Sequence, residues 1–451
     1  METLVHSSAF TGYVYPNETV IPWTVLIVVY PYLTGLVAGA FTISSLYQVF
    51  GFQQLRPVAH FALLVSLSCM VVVPIPLLLH LGHPERAFNA MITPHTTSAF
   101  AIFAYAAAFY VILLMLETWF VFRPHIVQTA NTTKGPVGWI YRVATLGSDD
   151  LSEKALSYDK KWLFALAIIG IPGAHGLHGY VGFVFGSLKS REWWSSDLMP
   201  AIFLFSAIIS GTALVIVLYV VSCKLRKVPV DLACLKVMAY SLWGFMMFTL
   251  LLEGLEFASM VYRGREGIDV IMSFVKGPLL IPFFILQFGI GSVLPLAVIT
   301  FLIWRGSSGP TLVVAITTSA CLVLLAVLMM RYNVVIGGQE IAKTGKGLLE
   351  YRPPVFAREG LFAAGCVLVL PFVLLSILVR FLPPWHEADT ALAKGRCKLT
   401  RRRPAYARRA QGVFANDFQE TRWSVRKCAI LHSPSRPHHH QRDLNGSPGS
   451  E

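Results

Sequence analysis

Nine stretches of this chain run for twenty or more residues with almost no charge, at 20–46, 57–81, 97–122, 162–187, 198–223, 237–262, 278–304, 310–336 and 359–383. A helix rises about 1.5 Å per residue, so each stretch is long enough to cross a hydrocarbon core of about 30 Å. The pattern predicts an all-α, polytopic membrane protein of about nine transmembrane helices. The N-terminus lacks the basic region and cleavage site of a secretory leader, so the first span is expected to remain in the mature protein.

Polar residues interrupt this pattern unevenly. Spans two, four, six and eight run in the same direction and end on one face. Span two ends in His80-Leu-Gly-His83-Pro-Glu85-Arg86, and span four carries His175 and His178 in its second half. Span six holds Glu253 and Glu256 near its end, and span eight closes with Arg331-Tyr-Asn333 and Gly337-Gly-Gln339. The intramembrane polar groups thus gather toward one surface.

Composition agrees with a membrane protein: 55% of residues are hydrophobic and 14% charged, with a mean hydropathy of +0.61. The net charge of +13 is concentrated at the C-terminus, where residues 384–451 hold thirteen Lys/Arg against six Asp/Glu. That basic tail is expected to be disordered, to touch anionic lipid rather than nucleic acid, and to lie in the cytoplasm, which puts the N-terminus and segment 1–19 outside. The polar ends of the even-numbered spans then face the external or periplasmic side. None of the seven cysteines forms a Cys-x-x-Cys or Cys-x-x-Cys-His pattern, so an iron–sulfur cluster or covalent haem in this chain is not supported.

Ionisable side chains within spans are costly and mark candidate functional positions. Residues three apart on a helix lie about 60° apart around the axis, so His175 with His178, and Glu253 with Glu256, each project from one face. A histidine beside a carboxylate in a dry cavity can hold a quinone oxygen and pass protons as the ring changes redox state. Either histidine can instead simply donate to a backbone carbonyl and fix packing. Pro172, one turn before His175, frees a carbonyl and predicts a local kink. Gly35 and Gly39 have the Gly-x-x-x-Gly spacing of close helix packing. Two other functions stay open: a b-type cytochrome pairing histidines from different helices such as His60 and a span-four histidine, and a secondary transporter with broken helices at its midplane.

Together the segments Tyr30-Pro-Tyr-Leu-Thr-Gly-Leu-Val-Ala-Gly, Leu81-Gly-His-Pro-Glu-Arg86 and Leu177-His-Gly-Tyr-Val-Gly-Phe-Val-Phe, followed by Trp193-Trp194 and Pro200, resemble the NrfD/polysulfide reductase (PsrC-like) membrane-subunit family over about residues 15–385. Arg331-Tyr-Asn-Val-Val-Ile-Gly-Gly-Gln339 and Arg358-Glu-Gly360 resemble its DsrP-like branch, found with dissimilatory sulfite reductase. The resemblance implies two four-helix bundles plus one extra helix, with residues 20–223 holding the first bundle and 224–383 the second. It implies a quinone-reactive subunit of a respiratory oxidoreductase linked to sulfur metabolism, in a bacterial or archaeal cytoplasmic membrane. Such a subunit does not itself turn over the terminal substrate. Menaquinone or ubiquinone is the expected bound substrate, with no haem or cluster in this chain. The expected partners are an iron–sulfur ferredoxin-like subunit and a multihaem cytochrome c. His178 takes the quinone-site histidine position, supported by His175, Glu253 and Glu256, and quinone-binding residues are expected among His83, Arg86, Tyr30, Tyr180, Arg331 and Asn333.

Overall fold

The computed structural model describes residues 20–95, 97–264, 268–344 and 347–385. The expected external segment 1–19 and the basic tail from residue 386 lie outside the described residues. Among the described residues the chain is helical, with no named strand and one isolated bridge between Ile341 and Leu348. Nine helices among the described residues are long and apolar enough to span a membrane: α1 (Val25–Gln48), α2 (Gln53–His80), α3 (Ala101–Thr132), α4 (Glu153–Gly186), α5 (Met199–Leu225), α6 (Leu232–Arg263), α7 (Leu280–Trp304), α8 (Pro310–Glu340) and α9 (Leu361–Phe381). This chain is a multi-pass membrane protein. Several helices outrun their apolar windows, because charge ends a hydrophobic stretch without ending a helix. α4 begins at Glu153 and carries Lys160 and Lys161 before its apolar part starts.

At the centre of the molecule stands α1. Every residue from Val25 to Phe41 is buried, all around the helix, and α1 packs on α2, α4, α5, α8 and α9. Small residues permit the closest of these approaches. A Cβ on Gly211 of α5 would fall 2.4 Å from the Gly39 Cα, so the two backbones touch where neither has a side chain. Gly35, one turn earlier, leaves room for a ring instead: its missing Cβ would lie 3.3 Å from His178 Cε1. Around this post α3 packs on α2 and α4, α5 to α8 pack on one another, and α9 returns to α2 and α1.

Segments far apart in sequence satisfy the first backbone donors of α1, which no turn of the helix can serve. The Trp23 N–H donates to Gln339 Oε1 at 2.9 Å, and the Val25 N–H to the Tyr351 hydroxyl at 3.1 Å. Glu359 takes the Thr24 hydroxyl at 3.2 Å and His80 Nδ1 at 2.7 Å, fastening the last turn of α2 to the approach to α9. At the opposite membrane face Arg123 of α3 holds Asp159 of α4 at 3.0 Å and the Asp150 carbonyl at 2.6 Å. Arg226 lies 4.3 Å over the Trp385 ring there.

Two helices widen. Leu280–Val293 in α7 and Asn333–Gly337 at the end of α8 are π-helical, with one extra residue per turn. Widened turns displace carbonyls from their usual donors. In α8 two of these are met by the loop after α4: Trp193 Nε1 donates to the Asn333 carbonyl at 3.1 Å, and Trp194 Nε1 to that of Val334. Trp194 also stacks on Trp23 at 5.2 Å, and a Cβ on Gly338 would lie 1.9 Å from its Nε1. The position therefore requires glycine.

Candidate functional site

A cleft opens between α5, α6, α7 and α8. Most of its wall is apolar, from Trp193, Met199, Ile202, Phe257, Phe283 and Met330. Its polar groups are four: Glu253 and Glu256 from one face of α6, Gln287 from the widened part of α7 and Asn333 from the widened part of α8. An apolar wall with a few convergent polar groups is the usual make-up of a small-molecule site.

These groups form a directed network. Asn333 Nδ2 donates to Gln287 Oε1 at 2.8 Å and to the Pro282 carbonyl at 3.2 Å, and Gln287 Nε2 donates to Glu253 Oε2 at 3.0 Å. The Gln287 amide is thereby fixed in orientation, with its donor end on the carboxylate. Asn333 Oδ1 is buried and has no hydrogen-bond partner among the described residues. Glu256 accepts the Ser196 hydroxyl. Glu253 thus lines the cleft as a carboxylate that already takes the Gln287 amide, and the Asn333 side chain lines it with its amide donors used.

Behind the α8 wall lies Arg331, 0% exposed. Its Nη2 reaches His178 Nε2 at 3.0 Å and the Ser206 hydroxyl at 2.6 Å, and its guanidinium sits 3.9 Å above the Phe203 ring. An arginine only donates, so His178 Nε2 must accept and the proton of the neutral ring belongs on Nδ1. Nδ1 faces the Thr34 hydroxyl of α1 at 3.0 Å, and Thr34 in turn lies 3.2 Å from the Pro31 carbonyl. Donation runs one way, from Arg331 through His178 and Thr34 to the backbone of α1. Arg331 Nε and Nη1 remain buried without hydrogen-bond partners among the described residues.

His175 takes a separate position. Its Nδ1 lies 2.8 Å from the Ile171 carbonyl, which can only accept, leaving Nε2 to face the Thr42 hydroxyl at 3.2 Å. α4 remains helical through Pro172.

The residues that the sequence marks fall into three groups. Glu253, Glu256 and Asn333 line the cleft. His178 and Arg331 meet each other behind it, while His175 binds α1 apart from both. The others are dispersed: Tyr30 is buried edge-on to Phe103 at 5.5 Å, Tyr180 packs on Phe183, Arg86 is exposed, and His83 pairs with Glu85 at 3.0 Å in the exposed turn after α2. None of these last four is among the residues that line the cleft. Sequence reasoning misses Gln287, Ser196, Ser206, Thr34 and Trp193 as site residues. Trp193 stands in a motif and Gln287 is a rare amide in an apolar window, but the hydroxyls carry no signal of their own.

Comparison with known proteins bears on this geometry. The model of the family described as polysulphide reductase, NrfD, matches residues 15–342. A selenate reductase subunit of Mesobacillus selenatarsenatis is 30% identical over 380 residues, covering 81% of this chain and 86% of that protein. A putative dimethyl sulfoxide reductase membrane subunit of Halobacterium salinarum is 24% identical over 214 residues, 48% of this chain and 46% of its own length.

Proposed function

The chain belongs to the polysulphide reductase, NrfD family, and from that premise we propose that it is the quinone-reactive membrane subunit of a respiratory reductase-type complex. The cleft between α5, α6, α7 and α8 takes the quinone ring. The observation that carries this reading is the convergence of Glu253, Gln287 and Asn333 on an otherwise apolar cleft. Quinol oxidation releases two electrons and two protons. Glu253 and Glu256 are the carboxylates that take the two protons, Asn333 Oδ1 accepts a hydrogen bond from a ring hydroxyl, and the electrons leave to an iron–sulfur partner docked at the same membrane face. In the reducing direction each transfer reverses. Arg331, held by His178 and Ser206, is a buried cation on the far side of the α8 wall.

That face is the external one if the basic tail is cytoplasmic, by the excess of positive charge on the inner side. The link to sulfur compounds rests on the resemblance of the α8 ending and of Arg358-Glu-Gly360 to the DsrP-like branch, and a multihaem cytochrome c is a further partner on the same ground.

Quinol-dependent reduction of an electron acceptor by the assembled complex tests the site. Replacing Glu253→Gln should lower kcat by about 10²-fold or more, the usual weight of a general base, while KM changes little. Asn333→Ala should raise KM, because it removes a group used in binding. Unchanged kinetics in both variants, with the complex intact, would place quinone chemistry elsewhere.

A further inference from the structure

Between Thr97 and Phe122 the only charged residue is Glu117, in the middle of α3. It is 0% exposed, and among the described residues neither of its oxygens has a hydrogen-bond partner. Gln48, at the end of α1, reaches toward it, but its Oε1 is also buried and unpaired. Tyr110 lies two turns back on the same face of α3, close enough to feel the Glu117 charge, and its hydroxyl beside Ser66 of α2 is a fourth buried, unpaired atom. Four such atoms from α1 and α3, with Ser66 of α2 alongside, are far from the rule that buried polar groups find partners.

Among the described residues no cation hydrogen-bonds to either carboxyl oxygen. Arg123, further along α3, is engaged by Asp159, Asp150 and Ser148. His60 of α2 packs edge-on to Tyr47 and Phe122. On α4 no charged or titratable residue stands between Trp162 and Ala174, and α1 carries no charged residue and, besides Tyr30 and Tyr32 in its first turns, only Tyr47 as a titratable one. An isolated ionised carboxylate in such surroundings costs too much to persist, so the group is present as the neutral acid. A neutral acid still has a proton to donate and a carbonyl to satisfy. Internal waters are found where two to four otherwise unpaired buried polar groups converge.

We propose that Glu117, with Gln48 and Tyr110, forms a second polar site that holds internal water and an acid proton exchangeable with the membrane face at which α1 ends. The opening is at Gln48, which is partly exposed and whose Nε2 also reaches Ser44 Oγ at 3.2 Å. The cleft lies toward the other end of α1, where Gln339 binds Trp23. The two sites therefore approach opposite faces. Tyr110 stands between them: its ring meets Phe41 at 5.9 Å and lies 3.3 Å from where a Gly173 Cβ would be, two residues before His175.

Infrared spectroscopy of the full chain in lipid tests this directly. A protonated carboxylic acid gives a carbonyl stretch distinct from that of a carboxylate, and it moves to lower frequency when the proton is replaced by deuterium. The difference between wild type and Glu117→Gln isolates this residue from the other acids. The expected result is a band present in wild type, absent in the variant and shifted after transfer to D2O. A difference spectrum without that band means the carboxyl is ionised and overturns the proposal. A band that D2O does not move means a sealed site without exchange, and overturns it equally. Should Glu117→Gln fail to fold by size exclusion and circular dichroism, Glu117→Asp serves in its place: a displaced band supports the assignment, and an undisplaced one rejects it.

Discussion

Arg331 Nη2 lies 3.0 Å from His178 Nε2, and the geometry forces the histidine to accept. The ring that sequence singles out as a quinone ligand thus has Nε2 occupied by a guanidinium and Nδ1 by Thr34. In the function proposed above, its action on the cleft runs through Arg331, as a positioning residue.

His178→Ala should leave a buried arginine short of an acceptor. Leaving a buried donor of such a charged group unsatisfied costs about 1–3 kcal/mol or more, so the variant should melt well below wild type or fail to assemble. His178→Gln, whose amide oxygen can take the Arg331 proton, should recover much of the loss. Thermal unfolding in detergent, followed by tryptophan fluorescence, separates the two. Equal losses in both variants would contradict the acceptor role.

Close packing at the α1–α5 crossing makes a sharper steric test. Gly211→Ala places a methyl 2.4 Å from the Gly39 Cα, an overlap between two backbones that costs about 1–3 kcal/mol or more. Gly176→Ala, where nothing lies within 4 Å, should be neutral or raise stability by up to about 1 kcal/mol through helix propensity. Thermal midpoints of the two variants should move in opposite directions or differ clearly in size.

Asp159→Asn or Arg123→Met alone should destabilise the α3–α4 face by about 3–5 kcal/mol, since each strands a buried charge. The double replacement with apolar residues of similar volume should recover most of this. A double-mutant cycle on unfolding free energy reads the coupling, and simple additivity would mean the pair does not interact.

The start of α4 offers a pH test outside the membrane. Ser152 donates its N–H and hydroxyl to Asp150 at 2.8 and 3.0 Å, and these bonds hold the Asp150 carboxyl below its usual range. A lowered value means the turn is fully stabilised above the ordinary aspartate range near about 3.9 and loses that stabilisation as pH falls through the lower folded value. Hydrogen exchange at the Ser152 amide should therefore stay protected at mildly acidic pH in wild type, and lose protection in Asp150→Ala at every pH.

Much of this architecture could be read from the chain. Nine charge-poor windows coincide with nine helices among the described residues, because burial of backbone in lipid leaves helices as the economical solution. The i, i+3 spacing places Glu253 and Glu256 on one side of α6, and both line the cleft. Other parts were hidden. The wide turns around Gln287 and Asn333 depend on packing from other helices, and nothing local announces them. Thr34 and Thr42 of α1 each meet a histidine of α4, a pairing across more than a hundred residues of sequence that no spacing rule detects. Glu117 was visible, a single acid inside an apolar window, yet a hydropathy average absorbs one charge without trace.

The central position of α1 bears on how the protein is made. This helix leaves the ribosome before α4, α5 and α8 exist to cover it, and must wait in lipid meanwhile. Three of its hydroxyls are already provided for: Thr34 reaches the Tyr30 and Pro31 carbonyls, Thr42 that of Ala38 and Ser45 that of Phe41. In a lone helix these three bring no unmet polarity to the bilayer, and the later arrival of His175 and His178 gives the two threonines a second partner. The helix that ends up most deeply enclosed is thus one that can be inserted first and unaccompanied.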